Sequence, residues 1–207
     1  MVNVRPDPTR DPGVTGLLQA QVDASVRFAN AQQANIRERL RVGLLSLRVQ
    51  AIEPGHTEGD LVLWNARHRV LWAGGLVYDG RVPELAQGSL DGWLAALPRL
   101  LALRPQQVIG TVWSRAPAAE APPPALGATE RYLKGLRARV LLAMDQGHQP
   151  QETAWGDLPA YRDWAGYSER HGFNLQRAWR ELEPVWMEQG APSALPLPGQ
   201  MQPIQGR

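Results

Sequence analysis

The chain has no cysteine and only four histidines, His56, His68, His148 and His171. Disulfides and thiolate metal sites are excluded, so any bound metal would rest on imidazole and carboxylate groups. His56 lies in Gly55-His56-Thr57-Glu58-Gly59-Asp60, a glycine-bounded turn that presents an imidazole just ahead of an apolar run. A single-metal site around His56 would draw on Asp60 and on Asp79 or His68; Asp60 and Asp79 are the candidate lining residues. A hydrolytic zinc needs about three protein ligands and one open position for water, so one imidazole is a ligand without a site. His148 follows Gly147 at an expected helix end, where a cation suits the dipole. His171 lies in a loop ahead of an expected helix, and both read as structural or solvated. Glu152, Asp157 and Asp163 have no partnered histidine, which leaves no acid–base pair. There is no Gly-x-Ser-x-Gly elbow and no glycine-rich phosphate loop, since Gly74-Gly75 lacks the spacing.

The elements that must position these groups follow from periodicity. Leu18, Val22, Val26 and Ala29 recur at helical spacing, which predicts a helix from Leu17 to Leu40 that ends near Gly43. Leu45, Leu47, Val49 and Ala51 alternate with polar residues, the period of a half-buried strand. Asp60 to Trp64 and Arg69 to Gly74 are strand-like runs joined by a four-residue loop, a hairpin in which Trp64 and Trp72 are placed to pair. Ser89 is the expected cap of a helix carrying Leu90, Trp93, Leu94, Leu97 and Leu101, with Pro98 a point of kink or break. Gln106 to Trp113 reads as a strand and Ala116 to Gly127 as a loop. Thr129 is then the expected cap of a helix ending near Gly147. A short helix over Pro159 to Ser168 and a last helix capped by Asn174 follow, with Pro184 as a break or Trp186 as the end. Trp93 and Trp179 fall on apolar helix faces and are assigned to the core. This order is α/β: one mixed sheet flanked by helices.

Gly55-His56-Thr57-Glu58-Gly59-Asp60 resembles the Gly-His-Thr-Pro-Gly-Asp segment of metallo-β-lactamase-fold hydrolases, in which the histidine is a zinc ligand. Leu61-Val62-Leu63-Trp64, a hairpin loop and Val70-Leu71-Trp72-Ala73-Gly74-Gly75 continue the resemblance. Gly80-Arg81-Val82-Pro83 and Gly88-Ser89-Leu90-Asp91-Gly92-Trp93 are similar to the branch of zinc metallohydrolases associated with quinoprotein and sulfur-oxidation systems. The stretch from Tyr132-Leu133 through Trp164, Tyr167 and Asn174 resembles that branch more loosely. The resemblance implies the second half of the fold, hence a truncated metallo-β-lactamase-like α/β domain. It also implies which ligands are gone. The family's His-x-His-x-Asp-His signature is absent, Gly75 stands where a bridging aspartate belongs, and Val112 stands roughly where the last histidine ligand sits. Only His56 remains. Without the bridging carboxylate two adjacent dications would repel without compensation.

Two functions are therefore in play. One is a non-catalytic protein with a binding or assembly role and no cofactor. The other is a zinc-dependent hydrolase that keeps His56 and completes its site with other residues or a partner subunit. The formal charge is only +2 and basic residues are interspersed with acids, which argues against nucleic acid. No apolar run is long enough for a membrane span. Residues 1–16 are a polar lead without a secretory signal, which predicts a cytoplasmic protein; residues 17–189 form the domain, and residues 190–207 are an expected disordered tail. A sheet face carrying Leu61, Leu63, Val70 and Trp72 needs cover, from the N-terminal helix or from a second copy in a homodimer.

Overall fold

The computed structural model describes residues 37–42, 44–52 and 54–188. The lead, residues 17–36 of the expected N-terminal helix, Gly43 and the tail lie outside them. Six strands form one sheet in sequential order: β1 (Arg37–Val42), β2 (Leu45–Ile52), β3 (Asp60–Asn65), β4 (Val70–Gly74), β5 (Gln107–Gly110) and β6 (Trp113–Arg115). Every neighbouring pair is antiparallel except β4 and β5, which are parallel. A parallel pair needs a crossover, and helix α1 (Leu90–Leu101) lies within it. Helices α2 (Pro124–Asp145) and α3 (Tyr167–Glu188) complete the α/β order, with short 3-10 turns at Thr153–Gly156 and Pro159–Tyr161. Among the described residues no helix is long and apolar enough to cross a membrane.

The helices cover one face of the sheet. Val62, Trp64, Leu71, Ala73 and Val108 join Trp93, Leu97 and Leu100 of α1, Tyr132 and Leu136 of α2, and Leu175 and Trp179 of α3 in one buried core. The opposite face carries Leu47, Val49, Leu61 and Leu63, all buried, with Trp72 packed against them. Its apolar side chains stand in a cross-strand row, Val49–Leu63–Trp72–Ile109–Trp113, each paired with the next. Exposure rises along that row from 3% at Val49 to 67% at Trp113. Leu61 and Leu63 are thus already covered in one chain, and the open part of the face lies toward β6.

Several local expectations are corrected. Arg37 to Leu40 form strand rather than helix, because pairing with β2 (Leu40 opposite Leu47) supplies their hydrogen bonds and tertiary pairing outweighs helical spacing. Trp64 and Trp72 do not pair: Trp64 faces Leu71 and Trp72 faces Leu63, so the two indoles lie on opposite sides of the sheet. Pro98 is exposed and α1 runs through it. Helix α2 starts at Pro124, inside the expected loop, with Pro123 and Pro124 at its first positions where no amide donor is needed. Thr129 is therefore not a cap. It is buried within the helix, where its hydroxyl bonds Ala125 O at 2.8 Å and Tyr78 O at 2.9 Å. The expected helix over Pro159 to Ser168 is only a 3-10 turn, and α3 begins at Tyr167 and continues past Pro184 to Glu188. Asn174 lies inside α3, not at its start.

Candidate functional site

The turn before β3 is held by its own acid. Asp60 accepts the Thr57 amide at 3.1 Å and the Thr57 hydroxyl at 2.8 Å, so its carboxylate is committed to shaping the turn. The turn also presses on the start of α1. The Ser89 amide donates to Gly55 O at 2.9 Å, and a Cβ at Gly88 would lie 2.7 Å from the His56 carbonyl oxygen. Ser89 caps α1 as expected, accepting the Gly92 amide at 3.0 Å. A residue that sequence reasoning missed reinforces this cap: Glu181 of α3 accepts the Ser89 hydroxyl at 2.8 Å and the Leu90 and Asp91 amides at 2.9 and 3.1 Å. A carboxylate there satisfies free amides and complements the helix dipole. Nothing local signals it, since Glu181 is about 90 residues away in sequence.

His56 emerges from this turn half-buried. Its ring meets Trp93 edge to face with centroids 5.6 Å apart and lies 6.2 Å from the Tyr78 ring. It fills the space beside Gly75. A Cβ at residue 75 would lie 2.7 Å from His56 Cε1 and 2.8 Å from Cγ, and closer still to Nδ1. The fold thus brings His56 and Gly75 together, as the comparison of ligand positions implies, but as packing partners. Val112 lies in the β5–β6 turn, which Thr111 ties to Val77 O through its amide and its hydroxyl, both at 3.0 Å. Its side chain packs against the main core. Asp79 is partly buried in the segment after β4, and His68 is exposed in the hairpin loop, where its amide donates to Asn65 Oδ1. Among the described residues no group of three or more His, Asp or Glu side chains converges to hold a metal ion. Asp60 is spent on its turn, and the side chain of His56 lies where a Cβ at residue 75 would fall.

A second polar cluster lies under α3. Tyr132 OH is 2.9 Å from His171 Nδ1, and Nε2 of the same ring is 2.9 Å from Gly156 O. Asn174 donates from Nδ2 to Pro83 O at 2.7 Å and to Tyr132 OH at 3.0 Å, while its Oδ1 accepts the Leu85 amide at 3.1 Å. These bonds define the protons: Gly156 O requires a donor, so His171 carries its hydrogen on Nε2 and accepts from Tyr132 at Nδ1. The imidazole is neutral. Burial pushes its pKa below the ordinary histidine value, against the Gly156 carbonyl and the Asp157 carboxylate, which favour the proton. Burial likewise pushes the Tyr132 phenol far up, outweighing the Asn174 bond. Each of these side chains finds its partners within the protein, so this is a pin between α2, α3 and the segment 83–85. His148 belongs to the helix end as expected: Gly147 takes φ 73° and the His148 amide bonds Ala143 O.

Two cavities meet at Glu84 and Ala86. One, about 240 Å³, is lined by His56, Thr57, Glu84, Ala86 and Gln87. The other, about 420 Å³, shares Glu84 and Ala86 with it and runs along α3.

No protein-family model and no curated sequence matches the chain. Solved structures do. A metallo-β-lactamase family protein from Thermus thermophilus is 22% identical with a TM-score of 0.50, over 84% of this chain and 62% of its own. A metallo-β-lactamase from Pontibacter korlensis is 19% identical over 59% of this chain and 63% of its own, with a TM-score of 0.42. A stereoselective inverting sec-alkylsulfatase from Pseudomonas sp. is 18% identical over 69% of this chain and 25% of its own, with a TM-score of 0.47. The chain thus spans less than two thirds of the length of these structures. The Thermus likeness carries the comparison, and it agrees with the fold expected from Gly55 to Trp113. One mixed sheet flanked by helices, with His56 on the turn before β3, is a metallo-β-lactamase-like α/β fold over the part of that fold which this chain covers.

Proposed function

We propose that this protein is a degenerate metallo-β-lactamase-like protein that acts by binding or assembly and not by zinc hydrolysis. The observation that carries the reading is the His56 ring seated against Gly75, in the room that a metal-bridging carboxylate would occupy. The commitment of Asp60 to Thr57 supports it. Within the superfamily we assign it nearest to the quinoprotein and sulfur-oxidation-associated metallohydrolases, on the residue series Gly80 to Pro83 and Gly88 to Trp93. Assembly would be as a homodimer through the sheet face away from the helices, at its open end near Ile109 and Trp113. Sedimentation velocity checks this, and a monomer at micromolar concentration would exclude it.

The competing reading, a zinc hydrolase that retains His56, draws on the open cavity beside that ring, which also contains Glu84. Metal analysis of the purified protein, followed by zinc titration, separates the two. The proposal expects no stoichiometric zinc. One zinc per chain, lost on His56→Ala, would overturn it.

A further inference from the structure

The larger cavity along α3 has features that the fold does not use. Arg170, Phe173, Arg177 and Arg180 share one helix face at successive spacings of three, four and three, and all line it. The opposite wall comes from Glu84 and Ala86. Its volume, about 420 Å³, is within the range of small-molecule sites. Two of the arginines are engaged. Arg170 pairs with Glu84, while Arg177 donates to Gly88 O and pairs with Glu181 at 3.3 Å. Arg180 has no ion-pair partner among the described residues and is exposed. Beside these cations stands Phe173, 74% exposed, the only aromatic ring lining the cleft among the described residues. Glu84 and Glu181 offset Arg170 and Arg177, and Glu169 lies about three turns from Arg180 along the helix, so the free cation of the cleft is local to Arg180.

A solvent-facing aromatic ring beside a guanidinium with no ion-pair partner among the described residues suits one chemistry. We infer that this cleft binds a small organic anion, with a carboxylate or phosphate on Arg180 and an aromatic or alkyl body against Phe173 and Ala86. Guanidinium forks match the planar or tetrahedral oxygens of such groups, and the ring supplies area that the anion alone cannot use. A longer body would continue past Glu84 and Ala86 into the cavity beside His56, since the two cavities share those residues. The inference deepens the proposed binding role and rests on that reading for its biological meaning, although the site itself does not depend on the state of His56.

Calorimetric titration with benzoate, phenyl phosphate and neutral benzamide tests it. Both anions bind saturably at one site, and benzamide binds roughly tenfold more weakly or worse. Arg180→Glu weakens the anions by roughly tenfold or more and leaves benzamide unchanged. Phe173→Ala weakens all three by roughly three- to tenfold. Both side chains are exposed, so neither variant threatens folding. Equal affinity for benzamide and benzoate, anion binding indifferent to Arg180→Glu, or no saturable binding to any probe overturns the inference. Stoichiometric zinc at His56 alongside anion binding would instead sink the non-catalytic reading and leave the cleft standing.

Discussion

Replacing Gly75 by alanine tests whether the His56 ring fills that position. The backbone at 75 is not in the left-handed region, so alanine brings no φ penalty and its effect is steric. Its Cβ would sit 2.7 Å from Cε1 and 2.8 Å from Cγ, where ordinary contact begins at 3.4 Å. The ring must therefore withdraw by more than half an ångström, against its contacts with Trp93 and Tyr78. Overpacking of this kind costs about 1–3 kcal/mol, which for a domain of this size lowers Tm by roughly 2–4 °C per kcal/mol. His56→Ala empties the space. In that background Gly75→Ala should be nearly neutral, giving a coupling of about 1–3 kcal/mol in a double-mutant cycle. Urea unfolding of the four proteins, followed by tryptophan fluorescence, measures each corner. If Gly75→Ala costs the same with and without the imidazole, the ring does not hold that space and the argument against a metal site loses its main support.

Two further outcomes follow from the buried polar groups. Glu181→Ala strips the start of α1 of its acceptor for two amides and the Ser89 hydroxyl, and should cost about 2–3 kcal/mol in unfolding free energy, with Glu181→Gln recovering part of it. A loss under about 0.5 kcal/mol would mean that water replaces the carboxylate. Because the folded pKa of His171 lies below its ordinary value of 6.5, the unfolded chain binds the extra proton first. Its contribution is present above pH 6.5 and is lost as pH falls through the folded value. Chemical unfolding at neutral and mildly acidic pH should show a steeper acid loss for the native protein than for His171→Gln, and parallel curves would refute the neutral assignment.

What was legible in the sequence was what depends on near neighbours. Leu45 to Ala51 alternate because β2 has two faces, and Ser89 is a cap because its hydroxyl reaches an amide three residues on. The errors have one cause. Thr129 and Asn174 look like caps because such residues compete for backbone groups at helix starts, but their partners here are up to 51 and 91 residues away. Helical spacing extended the N-terminal helix into Arg37 to Leu40 because a single strand edge cannot reveal β2 waiting to pair with it. At the site, the apposition of His56 and Gly75 was implied by a resemblance of segments. That the imidazole would pack into the glycine's place was not, since it depends on a ring orientation set by Trp93 and Tyr78. The role of Glu181 and the arginine cleft depend on how α3 lies across the start of α1, which no local pattern encodes.

The same close packing constrains the order in which this sequence can change. A carboxylate placed at residue 75 first must push the imidazole aside, because the ring stands where its Cβ would go. Starting instead with a smaller residue 56 removes the clash but also removes the imidazole. In mutational terms His56 and Gly75 form a latch: a larger residue at either position is tolerated best when the other is small, so the two are expected to change together.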